Sequence, residues 1–254
     1  MQSLAGQCAV ITNVATPLGY ALARRIGMAG AKIFVTGTCN GKTTRAIETL
    51  NSIGVDATGS VMDITKEEER KRLIELVNSE FGKLDSLVIN HQRNNIQGLI
   101  SEATVNDCTD LCNKYITTPL DLSNKMLPLL QKSENPSVVL MASIAGFNPF
   151  MDVGLYSVVN SGILGLTKSL SQIYGKKNCR VNSVSLGMTT EDGSGASWDN
   201  INDDAKQQLE EIVPLGRVAK IYECAGTVEF LCGRSSMFTT GENFVINGGV
   251  SVRI

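Results

Sequence analysis

A single histidine, His91, and a single tryptophan, Trp198, occur in 254 residues. One histidine cannot build a His-rich metal cluster, and no two cysteines have the C-x-x-C spacing of a structural zinc site. No apolar run reaches the roughly 18 residues that a membrane-spanning helix needs. Charge of one sign is also missing. The 23 basic residues are balanced by 25 acidic ones, for a net charge of -2. That balance gives no electrostatic reason to expect nucleic acid or an anionic membrane as partner.

The seven cysteines are an odd number, and no secretory leader is recognised, which points to a reducing, cytoplasmic setting. Cys108 and Cys112 lie one helical turn apart. With so little else to complete a metal site, they are expected to be buried helix cysteines. The closing Ser251-Val252-Arg253-Ile254 does not match a peroxisomal S-K-L address, because Val252 stands where a small residue is required.

What the chain has is rhythm. Short β-rich runs at 8–12, 33–36, 57–61, 87–90, 138–142, 181–185 and 244–246 alternate with amphipathic stretches such as 18–29, 67–81 and 160–174. Apolar strands without polar alternation suit a parallel sheet covered on both faces. The expectation is one α/β domain over 1–254, a Rossmann-like doubly wound sheet of about seven strands with helices on both faces. Segment 188–204 breaks the rhythm: it is polar, Gly/Ser/Asp-rich and holds Trp198. It is read as a flexible loop at the carboxyl edge of the sheet, either a plain surface loop or a lid.

Several motifs stand in order along this frame. Thr12 to Gly19 resembles a T-G-x-x-x-G-[IL]-G cofactor turn, and Asp63-Ile64 resembles the D-[VI] that reads adenine. Leu87-Val88-Ile89-Asn90 resembles a strand ending in N-N-A-G. Tyr156-Ser157-Val158-Val159-Asn160 begins 13 residues after Ser143 and resembles a Ser…Tyr-x-x-x-Lys site. Gly165 to Leu170, Arg180-Val181-Asn182 and the closing Gly241…Asn247-Gly248-Gly249 follow in the same order. Together they resemble the short-chain dehydrogenase/reductase family along essentially the whole chain. The wording is nearest its peroxisomal NADP-dependent retinol dehydrogenase/carbonyl reductase branch, notably at Ser143-Ile144-Ala145 and Phe230-Leu231-Cys232.

The resemblance implies a cofactor path along Thr12, Asn13, Pro17, Leu18, Gly19, Thr38, Asp63, Ile64, Asn90, Asn160, Gly187 and Thr189. It also implies a catalytic pair, Ser143 and Tyr156, with Tyr115 where the family's asparagine stands. Many of these positions depart from the pattern. Asn13 and Pro17 replace glycines. Asn accepts left-handed backbone angles, but Pro17 has no N–H and puts a ring where a phosphate would approach. Thr16-Pro17 is fully explained as an N-cap followed by proline at the first helical position. Thr38 replaces the arginine that would pair a 2′-phosphate, and Lys42 nearby offers only a point charge. His91-Gln92 replaces two small residues. Glu191 stands at the family's carboxamide-binding threonine, with Thr189 and Thr190 close by. Asp63 is retained, and is equally explained as an N-cap.

Asn160 changes the chemistry most. In the family a lysine there holds the nicotinamide ribose and lowers the tyrosine's pKa. An ammonium about 4 Å away contributes roughly 4 kcal/mol at an effective dielectric of about 20. That lowers a tyrosine's pKa by about three. Without it, Tyr156 is only about 0.1% phenolate at pH 7. Alcohol oxidation suffers most, whereas carbonyl reduction can still take a proton from the neutral phenol. Lys168 cannot substitute, because twelve residues of helix place it about 18 Å away.

The expected function is a degenerate family member with little or no NAD(P)-dependent turnover, kept as a scaffold for a small apolar or carbonyl ligand or for a partner. No cofactor is firmly implied, and NADP(H) is the candidate if the protein is active. One alternative is an atypical NADP-dependent carbonyl reductase using Ser143 and Tyr156. The other is cofactor-independent isomerase- or lyase-type proton chemistry with Tyr156, Ser143 and His91. The resemblance further implies a homodimer or homotetramer through the helices around 108–130 and 156–174.

Overall fold

The computed structural model describes residues 2–91, 98–149, 151–190 and 202–251. Gln92, Glu191, Trp198 and the last three residues, with most of 188–204, lie outside that range.

Seven parallel strands form one sheet: β1 (Cys8–Ile11), β2 (Lys32–Gly37), β3 (Ala57–Val61), β4 (Ser86–Ile89), β5 (Ser137–Ser143), β6 (Arg180–Leu186) and β7 (Asn243–Ile246). Their order in space is β3-β2-β1-β4-β5-β6-β7. Each central strand sends alternate side chains to opposite faces, as a pleat requires. Ile11, Ile33, Val35, Val88 and Val139 enter one core with Leu22 and Ile26 of α1 (Pro17–Met28) and Val228 and Leu231 of α7 (Ala225–Cys232). Val10, Phe34, Leu87, Ile89 and Leu140 enter the other. There they meet Leu73 of α3 (Glu67–Phe81), Leu122 of α5 (Thr118–Leu130) and Ile163 of α6 (Gly154–Gly175). Both faces are therefore covered, and this is why the strands read as unbroken apolar runs.

The strand order reverses between β1 and β4. In such sheets the crevice beyond the carboxyl ends at that point is where ligands lie. The turn after β1, the end of β4, the end of β5 and the start of α6 all converge there.

Three sequence expectations need correction. Helix α6 starts at Gly154, six residues before the expected start, because Leu155 packs in register with Val159 and Ile163. Asp63 does not cap α3. Lys66 holds the N-cap position, and Asp63 Oδ1 instead accepts from the Thr65 backbone N–H (3.1 Å) and hydroxyl (2.7 Å) in a local turn. Cys108 and Cys112 are not buried: on α4 (Val105–Cys112) the first is exposed and the second half-buried. Among the described residues no helix is long and apolar enough to cross a membrane.

Candidate functional site

The turn after β1 is closed by its own side chains. Asn13 takes a left-handed conformation (φ 56°), the role its residue type allows. Its side-chain Nδ2 donates to the Asn90 carbonyl at 2.6 Å, and the Thr12 hydroxyl donates to the same carbonyl at 2.7 Å. The Asn90 N–H returns to Thr12 Oγ1 at 2.9 Å. Thr16 is the hub. Its hydroxyl donates to the Asn13 carbonyl (2.8 Å) and accepts from Gly19 N–H (3.0 Å) and Asn90 Nδ2 (2.9 Å). Pro17 follows at the first helical position, as the sequence predicts.

This arrangement bears directly on anion binding. A helix N-terminus attracts phosphate because its first four N–H groups lack intrahelical partners. Here Thr16 N–H goes to the Asn13 carbonyl, Pro17 has none, and Gly19 N–H goes to the Thr16 hydroxyl. Only the Leu18 N–H is left of the four. Gly19 itself is tightly packed: a Cβ there would sit 2.1 Å from the Asn13 carbonyl oxygen.

Beyond β4, His91 stacks on Tyr115 with ring centroids 4.5 Å apart. Tyr115 meets Tyr156 edge to face at 5.6 Å. Tyr115 lies in a π turn, Asn113–Thr117, between α4 and α5, and is 3% exposed. The wider turn places a phenol inside the crevice where the resemblance implies an asparagine. Burial, and next to it Tyr156, pushes the Tyr115 phenol well above its ordinary pKa. Burial lowers His91 to about 4, against the opposing pull of the Lys114 and Met141 backbone. A histidine of that pKa is a weak base at neutral pH, which disfavours the general-base role.

Ser143 ends β5 and Tyr156 lies in the first turn of α6, so the fold brings both expected catalytic residues to one edge. Asn160 is 1% exposed and fully engaged there. Its Oδ1 accepts the Ser143 backbone N–H at 2.8 Å, and its Nδ2 donates to the Tyr156 carbonyl at 2.8 Å. Gly146 makes the same junction possible: a Cβ would fall 2.8 Å from the Asn160 carbonyl carbon, and its carbonyl accepts from the Ser161 hydroxyl at 2.6 Å. Sequence reading missed Gly146 and Ser161. The only available signal is a glycine three residues past Ser143.

The remaining positions are spread along the sheet edge. Thr38 is exposed just before α2 (Asn40–Ser52), and Lys42 is exposed in its first turn. Ile64 is buried, and its carbonyl accepts from Arg70, which pairs with Asp121 at the base of α5. Gly187 packs so tightly on Asn247 that a Cβ would lie 2.8 Å from its Cβ, and Thr189 forms a bridge with Ala219.

A dinucleotide needs backbone donors for its pyrophosphate, a charged or polar partner for its adenosine ribose and a group for its nicotinamide ribose. The residues here do not fit it. The helix N-terminus keeps one of four donors, the 38–42 segment has no carboxylate and no arginine, and the Asn160 amide is committed to backbone at both ends.

Comparison with known proteins gives the lineage. A family model described as enoyl-(acyl carrier protein) reductase matches residues 14–251. Dehydrogenase/reductase SDR family member 4 of Oryctolagus cuniculus is 32% identical over 254 residues, covering 99% of this chain and 96% of that protein. The Homo sapiens protein of the same name is 30% identical over 251 residues, covering 99% and 90%. Among solved structures, a putative gluconate dehydrogenase from Agrobacterium tumefaciens superposes with a TM-score of 0.91 at 22% identity, over 98% of this chain and 97% of that one. A Serratia marcescens short-chain dehydrogenase/reductase variant gives 0.88 at 22% identity, over 98% and 99%. Motif order, strand order and these matches agree: the chain belongs to the short-chain dehydrogenase/reductase family.

Proposed function

We propose that this protein keeps the family's fold and assembly surfaces while having little or no NAD(P)-dependent turnover, its crevice serving a small apolar or carbonyl ligand or a partner protein. The observation that carries this reading is Asn160. Both ends of its buried amide bond backbone, so the position neither holds a ribose nor places a charge beside Tyr156. The closed Thr12–Asn13–Thr16–Asn90 network and Pro17 support it from the other end of the crevice. Calorimetric titration with NADPH and then NADH is the test. No heat at millimolar nucleotide is expected; micromolar binding with hydride transfer to a carbonyl substrate overturns the reading.

A second reading rests on the retention of Ser143 and Tyr156 at one edge. It is a carbonyl reductase in which neutral Tyr156 donates the proton while Ser143 orients the carbonyl, in keeping with the dehydrogenase/reductase names of the relatives. Under that reading Tyr156→Phe abolishes turnover; an unchanged rate rejects it. Under either reading the protein is expected to be cytoplasmic and a homodimer or homotetramer; a monomer by light scattering contradicts the assembly.

A further inference from the structure

Asparagine is followed by glycine twice in this chain, at Asn40-Gly41 and Asn247-Gly248. Glycine, with no side chain, leaves its backbone nitrogen open to attack the amide carbon of the asparagine before it. The structure treats the two pairs differently. Asn40 and Gly41 open α2 and are both exposed. Cys39 at the N-cap gives no side-chain bond, and among the described residues the Gly41 N–H, in the first turn, has no acceptor. The Asn40 amide nitrogen likewise donates to none of them, and its oxygen accepts only from the Thr44 hydroxyl, at 3.3 Å. A Cβ on Gly41 would meet nothing within 4 Å, so no neighbour clamps this turn. Releasing Asn40 from the end of a helix gives up a single intrahelical bond.

Asn247 is held at both ends of its amide. Its Oδ1 accepts from the Gly249 N–H at 3.2 Å and its Nδ2 donates to the Val250 carbonyl at 2.5 Å. Gly248 takes φ 68° and is wedged in place, since a Cβ there would fall 2.5 Å from Val213 Cγ1. Solvent access differs too. Helix α2 packs on β2 and β3 and shares its core with α1, on the face of the sheet opposite α5 and α6. The helices expected between subunits therefore leave Asn40 open to water.

We propose that Asn40 is a site of intramolecular deamidation, with water as the co-reactant. The Gly41 nitrogen forms a bond to Asn40 Cγ and gives up its hydrogen. The Cγ–Nδ2 bond breaks, and Nδ2 leaves with that hydrogen as ammonia. One water then opens the succinimide at either carbonyl, giving aspartate, or isoaspartate with the main chain running through Cγ. Nothing is oxidised or reduced. Negative charge builds as the ring closes, and the positive end of the α2 dipole, with Lys42 next in the chain, favours it. The product places a carboxylate, or an extra main-chain carbon, in the turn that carries Thr43 into the core.

The test is to age the native protein in mildly alkaline buffer made with heavy-oxygen water and to map its peptides by mass spectrometry. The peptide with Asn40 should exchange NH2 for OH, take up one heavy oxygen and separate into aspartate and isoaspartate forms. The peptide with Asn247 should stay unchanged until most of Asn40 has reacted. In the guanidinium-unfolded chain both should convert at similar rates, because nothing then tells them apart. Gly41→Ala, for which there is room, should slow conversion at Asn40 about tenfold, or roughly 1.4 kcal/mol of barrier, by crowding the attacking nitrogen. Native protein in which Asn247 reacts before or alongside Asn40 overturns the proposal. So does a native Asn40 that persists while the unfolded chain converts, or an undiminished rate in Gly41→Ala.

Discussion

The Asn160 side chain spans the junction between Ser143 and Tyr156, with its amide oxygen on the Ser143 N–H and its amide nitrogen on the Tyr156 carbonyl, each at 2.8 Å. A lysine in this place has no oxygen with which to accept from Ser143. The change from ammonium to amide thus does two things at once. It removes a charge from the crevice and it ties the last residue of β5 to the first turn of α6. Ser143 and Tyr156 keep their relative placement for a reason unconnected with a cofactor.

It follows that Asn160→Lys does not restore nucleotide binding and weakens the fold. The Ser143 N–H loses its acceptor, worth about 1–3 kcal/mol. A lysine ammonium at a position 1% exposed adds its own desolvation cost. Asn160→Ala isolates the first of these effects, about 2 kcal/mol. Urea denaturation should therefore rank wild type above Asn160→Ala and Asn160→Ala above Asn160→Lys, and calorimetry with NADPH should stay flat for all three.

At the other end of the crevice, Thr16→Ala should cost about 2 kcal/mol, the upper end of the range for an N-cap. The reason is that the hydroxyl serves Asn13, Gly19 and Asn90 together and not one N–H alone. Thr16→Ser keeps all three bonds and should stay within a few tenths of wild type. A cost for Thr16→Ala below about 0.5 kcal/mol would show that the turn is held elsewhere. The midpoint of urea unfolding at neutral pH measures both variants.

Much of the fold was legible because its strands are covered on both sides. Such strands are continuous apolar runs, and the sequence places each within one or two residues of its bounds in the sheet. Helix α3 was read to the residue, since Glu67-Glu68-Glu69 marks its first turn and Gly82, at φ 68°, ends it. The π turn at Asn113–Thr117 left no such mark. Apolar periodicity in that stretch is compatible with a plain helix, so the inward turn of Tyr115 was invisible. The exposure of Cys108 is hidden for a related reason: spacing tells which residues share a face, not which way the face looks. At Asn160 the sequence reveals a missing ammonium, but the partners of the amide are backbone groups of residues 4 and 17 positions away, and no local pattern encodes them.

Protonation of His91 should set a pH window for stability. The folded protein holds this imidazole at about 4, below its ordinary 6.5, because burial disfavours the cation. Between these values the unfolded chain binds the proton and the folded chain does not. Stability therefore falls as pH drops from about 6.5 toward 4, at up to about 1.4 kcal/mol per pH unit, and His91 adds no slope above 6.5. In His91→Phe that contribution disappears. Urea unfolding of both proteins from pH 4 to 7.5 should give curves that diverge only on the acid side; parallel curves throughout would rule the window out.

Tyr115 covers that imidazole, and its removal should be felt at His91. Tyr115→Ala deletes a ring that is 3% exposed and packed between His91 and Tyr156, so the cost is about 3–5 kcal/mol. Tyr115→Phe keeps the ring and loses only what the hydroxyl contributes, about 1 kcal/mol. The two variants also separate in a second measurement. The chain has one histidine, so its imidazole gives a single titrating proton signal in NMR. Wild type and Tyr115→Phe should titrate near pH 4. In Tyr115→Ala water reaches the imidazole, the cation is less penalised, and the midpoint moves up toward 6.5. A midpoint that stays put would mean that burial by β4 and β5, and not by the tyrosine, holds the histidine neutral.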